Sequence, residues 1–360
     1  MTSKYQITWK SFLLPIIGLI VFFLYIYIFH VDILQIITIV RGINIYVYLL
    51  AAVLVMFDTL FFSLAWYFLL KPLSVKLSLA KALLFVWFGI YIDTLIPAES
   101  ISGEISKIYL ACKEQNGVAG KVTASVIAQR LINMAINIVI LLVGATLLLI
   151  GGSLYGIMLN LVLLLVAVTF VFLLLILLLL IKEQWTIRVV DAVIMFVERI
   201  SRGHWKLVRI REEALNEAKA FHSAIREFGH SPRKLILPVS FSLASWIAGP
   251  AVFYLSFLSV GYTSIGFGPI LVIYAIFTAA KSIPIGVPFE VGLPEITLTT
   301  LFIAVSVPPD IAASVTILIR ILTLWLRFFI GFGAQQWLGI KAMSTLGSNN
   351  RETCAKAEKL

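Results

Sequence analysis

The charged and amide side chains that could do chemistry in this chain sit inside apolar sequence, and they recur. Arg130, Asn133 and Asn137 fall at i, i+3 and i+7, a spacing that places them on one face of a helix. Arg320, Thr323 and Arg327 repeat that spacing far downstream. Ahead of the first set stands Pro97-x-Glu99-x4-Glu104, and ahead of the second Pro288-x-Glu290-x4-Glu295. The prolines and all four carboxylates superpose at one offset of 191 residues, from 97 to 288, and the arginines follow with a slip of one. Guanidinium groups are suited to phosphate or carboxylate, which they grip with a planar fork of donors. The carboxylates supply counter-charge while such a site is empty, or carry protons. Lys107 and Lys281 are further candidates for the anion-binding group, and Gly103 and Gly292 accompany the two motifs. A duplicated set of costly charges in apolar sequence predicts an internal repeat built around a polar site. The competing structural reading pairs Arg130 with Glu104 and Arg320 with Glu295 as internal ion pairs. Asp58 and Asp93 also lie at membrane depth; Asp58 has no repeat partner and reads as a local helix-packing hydrogen bond.

These residues must be positioned by membrane helices. Of 360 residues, 61% are hydrophobic and 13% charged, and Leu161–Ile181 holds no charge over more than the roughly 20 residues a span requires. The net charge of +10 is concentrated in loops, as the positive-inside rule expects of a cytoplasmic face, so it predicts no nucleic-acid partner. Spans are expected at Phe12–His30, Ile45–Leu70, Val122–Ile150, Tyr155–Ile181, Leu235–Leu258 and Asp310–Trp337. The block Lys182–Lys234 carries eleven Lys/Arg against seven Asp/Glu and reads as cytoplasmic. Ala80–Lys121 must then enter and leave on the cytoplasmic side, a re-entrant hairpin broken at Pro97. Pro269–Pro309 makes a second, from the outside, broken at Pro284 and Pro288.

The predicted fold is an all-α polytopic membrane protein with about six transmembrane helices and two re-entrant helical hairpins in an inverted repeat. Its halves run from about 10 to 150 and from 155 to 340, in a single domain over 1–340. Such repeats, with broken helices meeting near the midplane, are the pattern of a transporter-type site. Within the cytoplasmic segment 182–234, Val189, Val190, Val193, Phe196 and Val197 share one helical face, with Trp205 at headgroup level. Residues 341–360 read as a disordered cytoplasmic tail. Both termini are expected in the cytoplasm and the protein in the plasma membrane.

Other chemistries find no support. The four histidines form no metal-ligand spacing, and there is no P-loop and no GxSxG elbow. Cys112 and Cys354 make no disulfide framework. No metal, cofactor or enzymatic activity is expected.

Residues 95–130, LIPAESISGEISKIYLACKEQNGVAGKVTASVIAQR, resemble the flippase-like transmembrane region of lysylphosphatidylglycerol synthases, and IPIGVPFEVGLPE followed by AASVTILIR is similar to that family's downstream motif. The resemblance runs from about 10 to 340. It implies translocation of a lipid, an aminoacylated phospholipid or a polyprenyl-phosphate-linked sugar, and carries the family's positions onto Gly103, Glu104, Arg130, Gly292, Glu295 and Arg320. Gln129 stands where the family often has an acid. No aminoacyl-transferase domain follows, so synthase activity is not expected. The partners this implies are a membrane lipid, a separate lipid-synthesising enzyme and a second copy in a homodimer. Two alternatives remain at this level: a membrane-embedded lipid-modifying transferase, which lacks the clustered aspartates it would need, and a secondary transporter of a small anion.

Overall fold

A computed structural model describes residues 33–96, 101–115, 117–150, 160, 163–164, 166–171, 173–175, 208–281 and 292–339. All regular structure among them is helical. In chain order the helices are α1 (Ile33–Arg41), α2 (Ile45–Leu70), α3 (Leu79–Leu95), α4 (Ile101–Glu114), α5 (Ala119–Ile150), α6 (Val208–His230), α7 (Ile236–Ser259), α8 (Phe267–Lys281), α9 (Leu293–Ala304) and α10 (Pro309–Arg320). A π-helical segment, Ile321–Leu326, continues α10 towards Gly339.

Four of the described helices are long and apolar enough to cross a membrane: Ile45–Leu70, Ala119–Leu147, Pro232–Ser259 and Pro309–Gly339. They coincide with four of the six expected spans. The other two, Phe12–His30 and Tyr155–Ile181, lie wholly or largely outside the described residues, as do the tail and the amphipathic face at 189–197. Between the spans, the expected hairpins correspond to helix pairs α3/α4 and α8/α9, with Pro97, Glu99, Pro288 and Glu290 in the undescribed connections.

Local sequence explains where these helices start. Asn44 caps α2 by accepting from the backbone N–H groups of Tyr46 and Val47 at 3.1 and 3.3 Å. Ser78 caps α3 through the Lys81 N–H at 3.3 Å. Helix α9 begins on Gly292, whose φ of +100° only glycine adopts without strain. The Glu295 side chain reaches back to the Gly292 N–H at 2.6 Å, and Pro294 sits in the first turn, where no donor is lost.

The 191-residue offset extends from the motifs to the helices. Helices α2 and α7 start at 45 and 236, at the same offset; the starts of α4 and α9 (101 and 293) and of α5 and α10 (119 and 309) deviate from it by one residue. The equivalent helices α2 and α7 pack along their lengths and run antiparallel. The Asn44 N–H donates to the Ser259 carbonyl at 2.7 Å at one end, Ser245 reaches Asp58 near the middle, and Phe68 stacks on Phe241 at 5.5 Å at the other. The long spans also pack across the repeat, α5 on α8 and the last span on α3. A Cβ on Gly144 of α5 would lie 2.8 Å from Val272 of α8, and one on Gly331 would lie 2.6 Å from the Trp87 carbonyl of α3.

Helix α6 docks on the start of α5. Glu217 accepts from the Gly120 N–H at 2.5 Å, and Phe221, Ala224 and Phe228 join Trp66, Leu69 and Val122 in one buried cluster. Its polar end stays in solvent, where the hydrogen bond and charge of Lys234 hold the Glu227 carboxyl below the ordinary carboxylate range. The charged block is thus, in its described part, a docked helix.

Helices α3 and α4 cross where Gly89 meets Gly103. A methyl at Gly103 would stand 2.5 Å from the Gly89 carbonyl oxygen and closer still to the Asp93 carboxylate. Gly103→Ala is therefore expected to prise the two helices apart and cost about 1–3 kcal/mol, the usual range for overpacking. A thermal unfolding midpoint unchanged from wild type, measured in detergent, would show that the crossing has slack.

Candidate functional site

A cavity of about 610 Å³ opens among α2, α3, α4, α5, α7, α8 and the helix carrying Arg327. Among the described residues six charged side chains line it: Asp58, Asp93 and Glu104 against Lys107, Arg130 and Arg327. Charges at such depth must be matched or wet, and these are matched in two groups.

The first group belongs to the first half. Arg130 Nη1 donates to Glu104 Oε2 at 3.1 Å, with both side chains about a quarter exposed. Asp93 accepts from the Ser102 hydroxyl and the Gly103 N–H, each at 2.6 Å. The close Gly89/Gly103 crossing is what brings that carboxylate within reach of the start of α4. Lys107 is 5% exposed, with its ammonium 5.2 Å from the Phe62 ring centre and 5.3 Å from that of Trp66. Two aromatic faces thus hold the lysine as a cation–π contact, and its charge faces Glu104 and Asp93.

The second group spans the halves. Asp58 of α2 accepts from the Ser245 hydroxyl of α7 and pairs with Arg327. Trp246, Tyr274 and Thr278 line the wall beside them, with Trp246 and Tyr274 edge to face at 5.3 Å.

The polar stripe of α5 lies where the helix-face rule puts it: Arg130, Asn133 and Asn137 all line the cavity. The second stripe does not. Arg320 and Thr323 are absent from the wall, and only Arg327 reaches it. Arg320 instead donates through Nε to Glu295 Oε1 at 2.6 Å, both side chains about 95% buried. The expectation of one polar site holding the arginines of both repeats is corrected for Arg320 accordingly. The reason is the π-helical segment Ile321–Leu326, whose wider turns rotate Arg327 about the helix axis relative to Arg320. Glu295 and Gly292 go with Arg320 into the α9 cap, away from this cavity. Gly103 and Lys107 line it. Lys281 closes α8, and its side chain lies outside what the structure describes, with Pro97, Glu99, Pro288 and Glu290.

Asp58 is more than a local packing contact, because its partners lie 187 and 269 residues away. One signal could have flagged it: a lone acid in a 26-residue apolar helix needs a distant base. Tyr274 and Trp246 gave no such signal among many aromatic residues. Gln129, at the position where an acid was anticipated, donates to the Phe62 carbonyl at 2.8 Å. Among the described residues no cluster of three His, Cys, Asp or Glu could hold a metal ion.

Relatives share most of this chain. A UPF0104 membrane protein of Pyrococcus horikoshii is 27% identical over 294 residues, covering 79% of this chain and 84% of its own. A UPF0104 membrane protein of Methanocaldococcus jannaschii is 23% identical over 285 residues, covering 79% and 82%. The chain matches the family described as the lysylphosphatidylglycerol synthase TM region over residues 15–331. With that match over most of its length and four apolar spans, this multi-pass membrane protein belongs to the lysylphosphatidylglycerol synthase TM region family.

Proposed function

We propose that the protein translocates a lipid with an anionic or phosphate-linked headgroup across the plasma membrane, as a flippase or scramblase without chemistry of its own. The observation that carries this reading is the charged cavity of about 610 Å³ walled by apolar spans. A cavity of that size accommodates a polar headgroup while the acyl or prenyl tails remain in the bilayer. Arg130 and Lys107 would bind the phosphate, and Glu104 would exchange its arginine partner for water or a proton as the headgroup arrives. Asp58–Arg327, which ties α2 to the last span, would be made and broken between the two faces.

An inverted repeat supports alternating access at such a site. The antiparallel α2/α7 pair and the common offset of the helix starts fit that arrangement. At 1.5 Å per residue, α4 (14 residues) and α9 (12 residues) reach about 21 and 18 Å, short of the roughly 30 Å hydrocarbon core. Legs of that length suit re-entrant hairpins, six spans in all, and cytoplasmic termini.

Reconstitution into liposomes with fluorescent phospholipids, followed by dithionite quenching of the outer leaflet, tests the reading. Protein-dependent loss of leaflet protection is expected for at least one anionic or phosphate-linked lipid. Unchanged leaflet distribution across phosphatidylglycerol, phosphatidic acid, phosphatidylinositol, lysylphosphatidylglycerol and a mannosyl phospho-polyprenol would overturn it.

A further inference from the structure

The three carboxylates of the cavity are occupied by the protein itself. Glu104 holds Arg130, Asp58 holds Arg327 and Ser245, and Asp93 holds Ser102 and the Gly103 N–H. Two other polar atoms on the wall have no partner among the described residues: the Oδ1 of Asn137, which is 7% exposed, and the Nε of Arg327. One is a neutral acceptor and the other a donor. Buried polar groups left unpaired are costly and call for an explanation, and both of these line the same cavity.

Helix packing brings them to one region. Leu147 packs on Gly268 and Gly144 on Leu271 and Val272, an antiparallel register that brings Asn137 level with Thr278. Arg327 is held at Asp58, Asp58 accepts from Ser245, and the next residue, Trp246, meets the Tyr274 ring at 5.3 Å, one turn from Thr278 on the same helix. Asn137, Thr278, Tyr274 and Arg327 therefore surround one end of the cavity, with the Trp246 ring beside Tyr274. Lys107 and Arg130 belong to the other group, with Glu104 and Asp93.

We propose that this end of the cavity is a subsite for a hydroxyl-bearing part of the headgroup, a sugar or polyol joined to the phosphate held at Arg130 and Lys107. A hydroxyl donates and accepts at once, so a headgroup that carries several can donate to Asn137 Oδ1 and accept from Arg327 Nε. Flat aromatic surface beside planar amide and guanidinium groups suits the faces and edges of a sugar ring. An ammonium-bearing headgroup could donate to Asn137 Oδ1, but it has no acceptor for the Arg327 Nε–H and would meet the guanidinium charge. The inference rests on the lipid-translocation reading for its biological use, but the subsite stands on the two unpaired atoms.

Two measurements on the full chain separate these claims. In detergent, titration calorimetry compares mannose 1-phosphate and glycerol 1-phosphate with ethanolamine phosphate and inorganic phosphate. At least one of the first two is expected to bind at least about tenfold tighter than ethanolamine phosphate, since it gains one hydrogen bond to a neutral amide and one to a charged guanidinium. Asn137→Leu, close in shape but without the acceptor, should bring that ratio near one. Arg327→Lys, which keeps the charge facing Asp58 but loses Nε, should do the same if Asn137→Leu fails to fold. In liposomes, a mannosyl phospho-polyprenol and phosphatidylglycerol are compared with phosphatidic acid and phosphatidylethanolamine. A preference for the mannosyl lipid assigns a sugar headgroup and a preference for phosphatidylglycerol a polyol; either supports the subsite. Equal rates for hydroxyl-bearing and hydroxyl-free lipids, a preference for the amine, or a ratio unmoved by both variants overturns it. Selective binding without lipid movement overturns translocation and leaves the subsite standing.

Discussion

Arg320→Ala is expected to destabilise the protein by about 3–5 kcal/mol, the cost of leaving one member of a buried pair without its partner. Both side chains are about 95% buried, and the Arg320 Nε to Glu295 Oε1 distance is 2.6 Å. The alanine would leave the buried Glu295 carboxylate, 4% exposed, without the charge of its arginine. It would then have to take a proton or draw water into the α9 start. Chemical unfolding in micelles measures the loss. Removing both charges, as Glu295→Leu with Arg320→Met, should recover much of it, since a buried pair is often replaceable by apolar groups of similar volume. Recovery will stop short of wild type because the Gly292 N–H loses its acceptor, a buried orphan costing about 1–3 kcal/mol. A single-variant loss below about 1 kcal/mol would show that water already reaches this pair.

The two Glu–Arg pairs were legible in the sequence because duplication marks them. Glu104 and Glu295 share the offset, and each meets the arginine that comes after it in the chain. Four spans were legible from their apolar runs: Ile45–Leu70 has the expected ends, and those expected from Val122, Leu235 and Asp310 begin within three residues of these positions. The direction of the second stripe was not. Placing Arg320, Thr323 and Arg327 on one face assumes uniform α-helical turns, and the π segment at Ile321–Leu326 breaks that assumption without a glycine or proline to announce it. On α5, where the turns are regular, the same reasoning put Arg130, Asn133 and Asn137 correctly on the cavity wall. The reach of Asp58 beyond a helix-packing hydrogen bond was hidden for a different reason. Its partners are fixed by how α2 crosses α7 and the last span, and helical periodicity carries no information about partners so distant in sequence.

The same motif is thus buried in one half and open on the cavity in the other, and Arg130 provides the contrast. Its pair with Glu104 is about a quarter exposed and opens on the cavity. A half-wet ion pair contributes on the order of 0–1 kcal/mol to stability, so Arg130→Ala should unfold close to wild type where Arg320→Ala does not. Translocation should respond in the opposite sense. A hydrogen bond to a charged group contributes about 1.5–3 kcal/mol, so losing one such contact to a phosphate predicts a fall of roughly 10- to 150-fold in the rate at limiting lipid. Arg130→Lys should recover part of this, since a point charge remains but the planar fork does not. The liposome quenching assay, run on protein whose unfolding midpoint has been checked, gives both numbers from one preparation. If Arg130→Ala moves lipid within threefold of wild type while losing several kcal/mol of stability, the first-half pair is structural like the second. The headgroup would then have to be held by Lys107 and Arg327, the two remaining cations on the cavity wall among the described residues.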